Sequence, residues 1–269
     1  MKKFTFNDAD KDILRSFLIF PYLTADQVCR LHYSEKSLKY VMARLAWLSS
    51  EEEHYVHRTP KEKLYPHLYS IALRGTRKVE EVPIFYPLDK KIVHTMHYPH
   101  LLLTNEILMS VLKFPQVFPD INLLEIHHDL AIHHMMTGVR PDGWFDLRMK
   151  GEQIPIWLEV HYGSKPHEPQ NKDKPKFQTK IAAILDAVKG TYRDVFHTEF
   201  VTVSFVTPYA WKVDLMVSWT EEVLDRLGIK KEADLFRFAY VPEKDIDPIE
   251  LFTKEIHRVP FTKMYTSLI

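Results

Sequence analysis

Two acidic residues, Asp142 and Glu159, have the spacing needed to meet at one edge of a β-hairpin. The stretch from 140 to 161 carries strand-forming residues on both sides of a turn at Lys150-Gly151-Glu152, which predicts two antiparallel strands. Asp142 stands at the start of the first strand and Glu159 near the end of the second. Carboxylate oxygens are the ligands that hard divalent cations prefer. The hairpin therefore predicts a site for Mg²⁺ or Mn²⁺.

Other interpretations of these residues stay open. Asp142 lies in a Pro-Asp-Gly turn signal and could serve the turn alone. Asp146 has the same strand parity as Asp142 and is a rival ligand. Glu159 interrupts an apolar strand, where a carboxylate requires a partner, a metal or an open face. His161 shares the strand face of Glu159, because side chains alternate along a strand.

The elements around the hairpin predict a mixed α/β arrangement. Apolar side chains at helical spacing predict helices, and a run of β-branched and aromatic residues predicts a clear strand after the hairpin. In chain order we expect a helix, a strand, the hairpin, a helix, a strand, a helix and a strand, at about 100–114, 121–126, 140–162, 175–189, 200–206, 210–227 and 237–241. The order is α-β-β-β-α-β, followed by a further helix and strand.

The first 75 residues have the pattern of a winged helix-turn-helix. Helices are predicted over about 7–20, from Thr24, and from an N-cap at Ser34 to about residue 48. Gln27 completes a capping box with Thr24. Residues 55–73 alternate as a two-stranded wing. The predicted core positions of the third helix are Leu38, Val41, Leu45 and Leu48.

In this fold the third helix enters the major groove and basic side chains contact phosphates. The predicted contacts with double-stranded DNA lie on the third helix and the wing, at Lys36, Lys39, Tyr40, Arg44, Arg58, Lys61 and Lys63. The alternative is a helical module for protein contact, whose charges are solvated. The run Glu51-Glu52-Glu53 would repel phosphate and disfavours very tight DNA binding.

Composition narrows the class of protein. The 36 Lys and Arg balance the 36 Asp and Glu, so a nucleic-acid site requires local segregation of charge. A single cysteine excludes an internal disulfide and indicates a reducing, cytoplasmic setting. The most apolar run, 101–112, is interrupted by Asn105 and Glu106, which excludes a membrane span there.

Paired histidines at 127–128 and 133–134 lack the spacing of a zinc helix. The lysine-rich loop 164–176 is either a phosphate contact or a mobile polar loop.

Pro141-Asp142 followed by Glu159-Val160-His161 resembles the PD-(D/E)xK nuclease signature, with His161 at the lysine position. Together with the winged-helix pattern, the chain resembles the replication-relaxation family of plasmids and other mobile elements. The resemblance implies a nuclease-like α-β-β-β-α-β core, which agrees with the order of predicted elements. The stretch 76–93 is charged and lacks strong periodicity, which predicts a linker between domains at 1–75 and 94–269.

The resemblance further assigns roles to individual residues. The implied metal ligands are Asp142, Glu159 and Glu106, with help from the carbonyl of Val160. The implied catalytic residues are His161 as proton acceptor or phosphate contact, Lys180 as a substitute for the missing lysine, and Gln178 as a group that orients phosphate or water. A neutral histidine supplies no fixed positive charge, so His161 departs from the motif in a way that bears on catalysis.

These features predict a DNA-binding protein of a plasmid or mobile element that acts in replication, transfer or its control. Its second domain is then an endonuclease dependent on Mg²⁺ or Mn²⁺. The alternative is a non-catalytic transcriptional or copy-number regulator whose second domain mediates homodimer formation or binds another partner. No membrane partner is expected. An enzyme acting on small molecules finds little support, because the chain has 7 glycines and no glycine-rich phosphate loop.

Overall fold

The computed structural model describes residues 4–59, 66–79, 98–163, 171–242, 246–254, 257–262 and 265–267. The chain divides into two units, Met1–Asn105 and Glu106–Ile269. The predicted domain limits at 75 and 94 stay a prediction. The first four residues of the predicted linker, 76–79, are helical, and its remainder lies outside the described residues.

The described residues of the first unit form helices and a small sheet. Helix α1 covers Asp8–Ile19, strand β1 Leu23–Thr24, α2 Ala25–His32, α3 Leu38–Leu48, β2 Val56–Arg58, β3 Leu68–Ile71 and α4 Leu73–Val79. Helices α1, α2 and α3 and the sheet follow winged-helix order. The strands are antiparallel in the order β1-β3-β2. Buried apolar side chains join the helices at Ile13, Leu14, Phe17, Val28, Val41, Leu45 and Leu48. The predicted winged helix-turn-helix is confirmed by this order and pairing.

Capping chemistry sets the helix starts. The Thr24 side chain accepts a hydrogen bond from the Gln27 N–H and the Gln27 side chain accepts one from the Thr24 N–H, so the predicted capping box is confirmed. The predicted cap of α3 at Ser34 is wrong. The Ser37 hydroxyl caps α3 instead, by accepting from the Tyr40 N–H. Because α3 begins three residues later, Leu38 lies in its first turn and is 41% exposed rather than in the core.

The second unit is built on a mixed sheet. Helix α5 covers Tyr98–Val117, β4 Ile121–His128, α6 Asp129–Met135, β5 Gly143–Met149, β6 Glu152–Val160, α7 Lys174–Lys189, α8 Thr191–Phe196, β7 Thr202–Thr207, α9 Ala210–Leu227, β8 Phe236–Tyr240, α10 Pro248–Thr253, β9 His257–Arg258 and β10 Tyr265–Thr266. Within the described ranges the strand order is β10-β9-β8-β7-β6-β5-β4. Strands β4 to β6 are antiparallel, and β6, β7 and β8 are parallel.

The chain topology follows from these pairings. The hairpin between β5 and β6 turns at Lys150 and Gly151, both with positive φ (51° and 88°), which suits the right-handed twist of its strands. Parallel pairs need crossover connections, and α7 and α9 supply them between β6, β7 and β8. Leaving aside the short helices α6 and α8, the order α5-β4-β5-β6-α7-β7 confirms the predicted nuclease-like α-β-β-β-α-β core. The second unit is therefore an α/β domain with this core.

The core on the crossover side of the sheet is aromatic. Phe177 of α7 contacts Phe205 of β7 and Trp219 of α9, with ring centroids 5.2 and 5.6 Å apart. Trp144 and Trp157, from neighbouring strands, are fully buried in the same cluster. Large rings fix the position of α7 against the sheet, which matters because α7 carries Lys180.

Candidate active site

Asp142 is held at the start of β5 by hydrogen bonds to both neighbouring segments. Its N–H donates to the Leu158 carbonyl at 3.0 Å, and its carbonyl accepts from the Asp129 N–H at 3.0 Å. Its Oδ2 accepts from the Val160 N–H at 2.8 Å. The Pro-Asp-Gly sequence thus starts the strand, and the Asp142 carboxylate is pinned beside the end of β6.

Glu159 is buried near the end of β6, with 1% of its surface exposed. Its Oε1 accepts from the Trp157 indole N–H at 2.7 Å, because residues 157 and 159 share a strand face. Its Oε2 accepts from the Lys180 ammonium. Burial raises the pKa of the Glu159 carboxyl, and the nearby Asp142 adds to this, while Lys180 and Trp157 oppose it. Both oxygens of the buried carboxyl therefore have donors, as a buried charge requires.

Lys180 reaches the carboxylates from α7, and its side chain is 35% exposed. Burial alone lowers the pKa of its ammonium, but the carboxylates of Glu159, Asp142 and Asp129 outweigh burial and raise that pKa above its ordinary value. Lys180 therefore brings a positive charge to the Glu159 carboxylate, and it does so from a helix and not from β6. Its role as a substitute for the motif lysine stays a prediction.

His161 continues β6 and lies between two lysines. Its N–H donates to the Val206 carbonyl at 2.8 Å, and its ring meets the Phe177 ring edge-on at 5.2 Å. Its Nε2 is shielded from solvent and makes no hydrogen bond with the described residues. Burial, together with Lys212 and Lys180, lowers the pKa of His161 to about 4. The imidazole is therefore neutral at pH 7 and does not supply the positive charge of the motif lysine.

A buried lysine fastens the segment that follows His161. Lys212, at the start of α9, is fully buried and donates to the Tyr162 carbonyl at 2.6 Å and to Asp173 Oδ2 at 3.3 Å. Gly163 has a positive φ of 53°, and a β-carbon there would lie 2.3 Å from Lys212 Nζ and 2.7 Å from His161 Nε2. Glycine is required at this turn both by the backbone angle and by the close approach.

Asp129 belongs to the same edge, which was not predicted from the sequence. The pairing of β4 with β5 places His128 opposite Gly143, so Asp129, the residue that follows β4, lies beside Asp142 and donates its N–H to the Asp142 carbonyl. Its side chain is 34% exposed. A signal existed in principle, because an acidic residue that follows one strand lies near the start of its antiparallel neighbour. Recognising it requires the register of the pair.

Other predicted site residues lie elsewhere or make different contacts. Gln178 donates to Glu222 Oε2 at 2.9 Å and so contacts α9 rather than the carboxylates. Asp146, the rival ligand, accepts from Gln153 at 2.6 Å, and burial raises the pKa of its carboxyl. Glu106 is buried in α5, and its role as a ligand stays a prediction. Over the described ranges, no group of three or more His, Cys, Asp or Glu is placed to hold a metal ion.

Some of the residues predicted to contact DNA are exposed in the first unit, and others lie outside the described residues. Lys36, Lys39 and Tyr40 are exposed at and before the start of α3, and Arg58 is exposed at the end of β2. Lys61 and Lys63 lie outside the described residues. Of the loop lysines at 164–176, Lys174 pairs with Glu222 at 2.8 Å, and Lys165 lies outside the described residues.

The prediction that Arg44 lies on the exposed face of α3 is wrong. Arg44 is 3% exposed and donates to both carboxylate oxygens of Asp10, with Nε at 2.6 Å from Oδ1. It also donates to the Thr5 carbonyl at 2.6 Å. Its guanidinium lies 4.8 Å from the Phe4 ring centre and 4.7 Å from that of Trp47. A charge enclosed in this way holds α3 to α1 and does not reach DNA.

Two solved structures resemble this chain weakly. The structure of restriction endonuclease FokI is similar with a TM-score of 0.29 and 10% identity over 90% of this chain and 44% of that chain. The structure of FokI bound to DNA is similar with a TM-score of 0.24 and 10% identity over 90% of this chain and 50% of that chain. This chain thus spans about half of their length. At this level of similarity, the fold assignment rests on strand order and not on either structure.

The sequence matches no protein-family model and no curated protein. The resemblance to the replication-relaxation family therefore stays a prediction. None of the described helices is long and apolar enough to cross a bilayer.

Proposed function

We propose that the winged helix contacts double-stranded DNA and that the nuclease-like core cleaves a phosphodiester bond with the help of a divalent cation. The observation that carries the proposal is the convergence of Asp142, Glu159 and Lys180 at one edge of the sheet. These residues come from three different elements, and Lys180 contacts Glu159 directly. The resemblance of the motif to the replication-relaxation family supports a role in replication, transfer or its control on a plasmid or mobile element.

The two carboxylates suit Mg²⁺ or Mn²⁺. Such ions are held in phosphoryl-transfer sites by one or two carboxylates, and water and phosphate complete their coordination. Glu159 is kept in a buried position at an electrostatic cost, which its raised pKa reflects, and a divalent charge would relieve that cost. Asp142 and Glu159 would hold the ion. When bound, it supplies an activated water and offsets negative charge on the scissile phosphate.

The remaining roles follow from charge and position. Lys180 carries the fixed positive charge of the site, and its partly exposed ammonium can donate to a phosphate oxygen. His161 is neutral at pH 7, so it can accept a proton but cannot replace the charge of the motif lysine. Lys212 keeps His161 and the turn at Gly163 in place through its bond to the Tyr162 carbonyl. The site therefore divides between two residues what the motif assigns to one.

A second candidate function is a non-catalytic regulator whose second unit mediates dimerisation or binds a partner. The observation that favours it is that Trp157 and Lys180 satisfy both oxygens of Glu159 without any metal. A nuclease-like fold without catalytic activity would keep this arrangement for stability alone. Lys180 would then be the permanent counter-charge of Glu159, and the exposed residues Lys36 and Lys39 at the start of α3 would still bind DNA.

Nicking of supercoiled plasmid with Mg²⁺ or Mn²⁺, measured beside a gel shift on linear duplex, separates the two functions. We expect the wild-type chain to nick and to shift DNA, and Glu159→Gln to shift DNA without nicking. Glu152→Gln is the matched control, since Glu152 is exposed at the opposite end of the same strand. A gel shift with no nicking by the wild-type chain would instead establish the regulator.

A further inference from the structure

The edge of the sheet holds more negative than positive charge around Lys180. Its ammonium contacts Glu159, and the carboxylates of Asp142 and Asp129 also stabilise its charge. Asp129 differs from the other two in its surroundings. Glu159 is enclosed and Asp142 is bonded to the Val160 N–H, whereas a third of the Asp129 side chain faces solvent.

The backbone fixes Asp129 at this edge. Its N–H donates to the Asp142 carbonyl at 3.0 Å, and the β4–β5 register places the end of β4 against the start of β5. The Asp129 side chain is therefore attached to a backbone that is hydrogen-bonded to the sheet and not to a free loop. A substitution to asparagine leaves this backbone bond unchanged, so the carboxylate charge can be tested separately from the architecture.

A divalent cation held by Asp142 and Glu159 would compete with the Lys180 ammonium, which already contacts Glu159 Oε2. The displaced ammonium remains tethered to α7 by a four-carbon stem and would repel the incoming cation at short range. Its charge then needs another partner close to the site. Among the described residues, Asp129 is a further carboxylate near Lys180; its Oδ1 lies 3.7 Å from His128 Nδ1, and it is neither buried like Glu159 nor bonded to the end of β6 like Asp142.

We propose that Asp129 is a second ion-pair partner of Lys180. Asp129 receives the ammonium when a divalent cation occupies Asp142 and Glu159. Asp129 is then a positioning residue that acts through Lys180 and is not itself a metal ligand. In this arrangement Lys180 stays beside the cation and is available to a phosphate oxygen, instead of leaving for solvent. The inference rests on the proposed function, since it concerns the same cation site.

The test is Mn²⁺ binding to the full chain by calorimetry, in a double-mutant cycle of Asp129→Asn and Lys180→Gln. With Lys180 present, we expect Asp129→Asn to weaken Mn²⁺ binding roughly five- to tenfold, as for coupled charges in one network. Lys180→Gln should tighten binding, because it removes the competing ammonium. In the Lys180→Gln background, Asp129→Asn should change affinity less than about twofold. Asp120→Asn, an exposed acid at the opposite end of β4, is the matched control and should bind like the wild type.

Each other outcome overturns the inference in a different way. Equal weakening by Asp129→Asn in both backgrounds means that Asp129 acts on the cation directly. No change in either background means that it has no part in cation binding. A wild-type chain that binds no Mn²⁺ removes the proposed function together with the inference. If Lys180→Gln does not fold, Lys180→Met takes its place in the cycle, because it also removes the competing ammonium and keeps the apolar stem, and the same comparison of Asp129→Asn in the two backgrounds decides the inference.

Discussion

The two units each contain a buried ion pair between distant residues, and the two pairs are built differently. In the first unit Arg44 and Asp10 are both enclosed, at 3% and 0% exposure, and the guanidinium forks across both carboxylate oxygens. In the second unit Glu159 is enclosed, but the side chain of Lys180 is partly open to solvent. One pair is closed and the other is accessible from one side.

The electrostatic balance of the pairs differs as well. Arg44 has a carbonyl and two aromatic rings as further partners, so its charge and its donors are matched within the fold. Around Lys180 the carboxylates are in excess, and burial raises the pKa of Glu159. A matched, closed pair stabilises the arrangement of two helices, whereas an unmatched pair open to solvent costs stability and leaves room for a ligand. The contrast teaches that burial alone does not separate a structural ion pair from a functional one.

The largest effect is expected from breaking the closed pair. Arg44→Met leaves the Asp10 carboxylate buried without its counter-charge, which should lower the free energy of unfolding of the first unit by about 3–5 kcal/mol. Urea unfolding followed by tryptophan fluorescence measures this, since Trp47 contacts Arg44. The control is Arg58→Met at an exposed position, with an expected change within about 0.5 kcal/mol. A loss below about 1 kcal/mol for Arg44→Met would remove the structural role given to this pair.

The pH dependence of stability tests the effect of a buried histidine, His257, in the second unit. His257 is fully buried and its Nε2 lies 2.8 Å from the Leu251 carbonyl. Burial lowers its pKa to about 4, against about 6.5 in an unfolded chain. The unfolded state therefore binds the proton first, so the stability is complete above about pH 6.5 and is lost as pH falls toward about 4.

The loss attributable to His257 is about 3 kcal/mol at the acid end of this window. Urea unfolding of the second unit at a series of pH values measures it. His257→Gln retains a donor for the Leu251 carbonyl and removes the ionisable ring, so its stability should fall less steeply across the same window. His161, whose pKa is also lowered to about 4, should add a slope of the same sign. An unchanged slope in His257→Gln would show that other groups cause the acid sensitivity.

Replacing the acidic residue by its amide should cost less stability in the Lys180–Glu159 pair than in the Arg44–Asp10 pair. Burial raises the pKa of Glu159 to about 8, so the unfolded chain loses the carboxyl proton at a lower pH than the folded chain, and the contribution of this group to stability falls as pH rises from about 4.5 to about 8. Glu159→Gln should therefore stay within about 1 kcal/mol of wild-type stability near neutral pH and improve relative to it as pH rises. Asp10→Asn, the corresponding change in the closed pair, should cost about 3 kcal/mol. Thermal unfolding of the two variants over a pH series compares them, and equal losses would make the two pairs equivalent.

Local chemistry made much of the fold predictable. The capping box at Thr24 and the hairpin turn at Lys150-Gly151 depend on residues close in sequence, and each is present in the structure. The alternation of side chains along β6 placed Trp157 and Glu159 on one face, where the indole donates to the carboxylate. Predictions of this kind succeed because the interacting groups are a few residues apart.

Long-range partners were not predictable in this way. Arg44 reads as a basic residue on an amphipathic helix, and its enclosure depends on Asp10, which is 34 residues away. Ser34 and Ser37 are equally good caps by residue type, and the choice between them depends on packing around α3. Asp129 joins Asp142 only through the β4–β5 register. Lys180 was predicted as a site residue from the family resemblance, because nothing in its local sequence distinguishes it from other lysines.

The smallest expected effect tests which basic residues face DNA once Arg44 is removed from that set. Lys39 is exposed in the first turn of α3, so Lys39→Ala should leave stability within about 0.5 kcal/mol of wild type. Loss of one phosphate contact should reduce the slope of log affinity against log salt by about 0.9 on duplex DNA. Lys11→Ala is the control, because Lys11 on α1 is partly exposed and paired with Asp8 at 3.1 Å, and its salt slope should match the wild type. If Lys39→Ala keeps the wild-type slope, α3 does not lie against the phosphates, and the exposed residues beside Lys39, which include Leu38 and Met42, would favour a protein contact at this face.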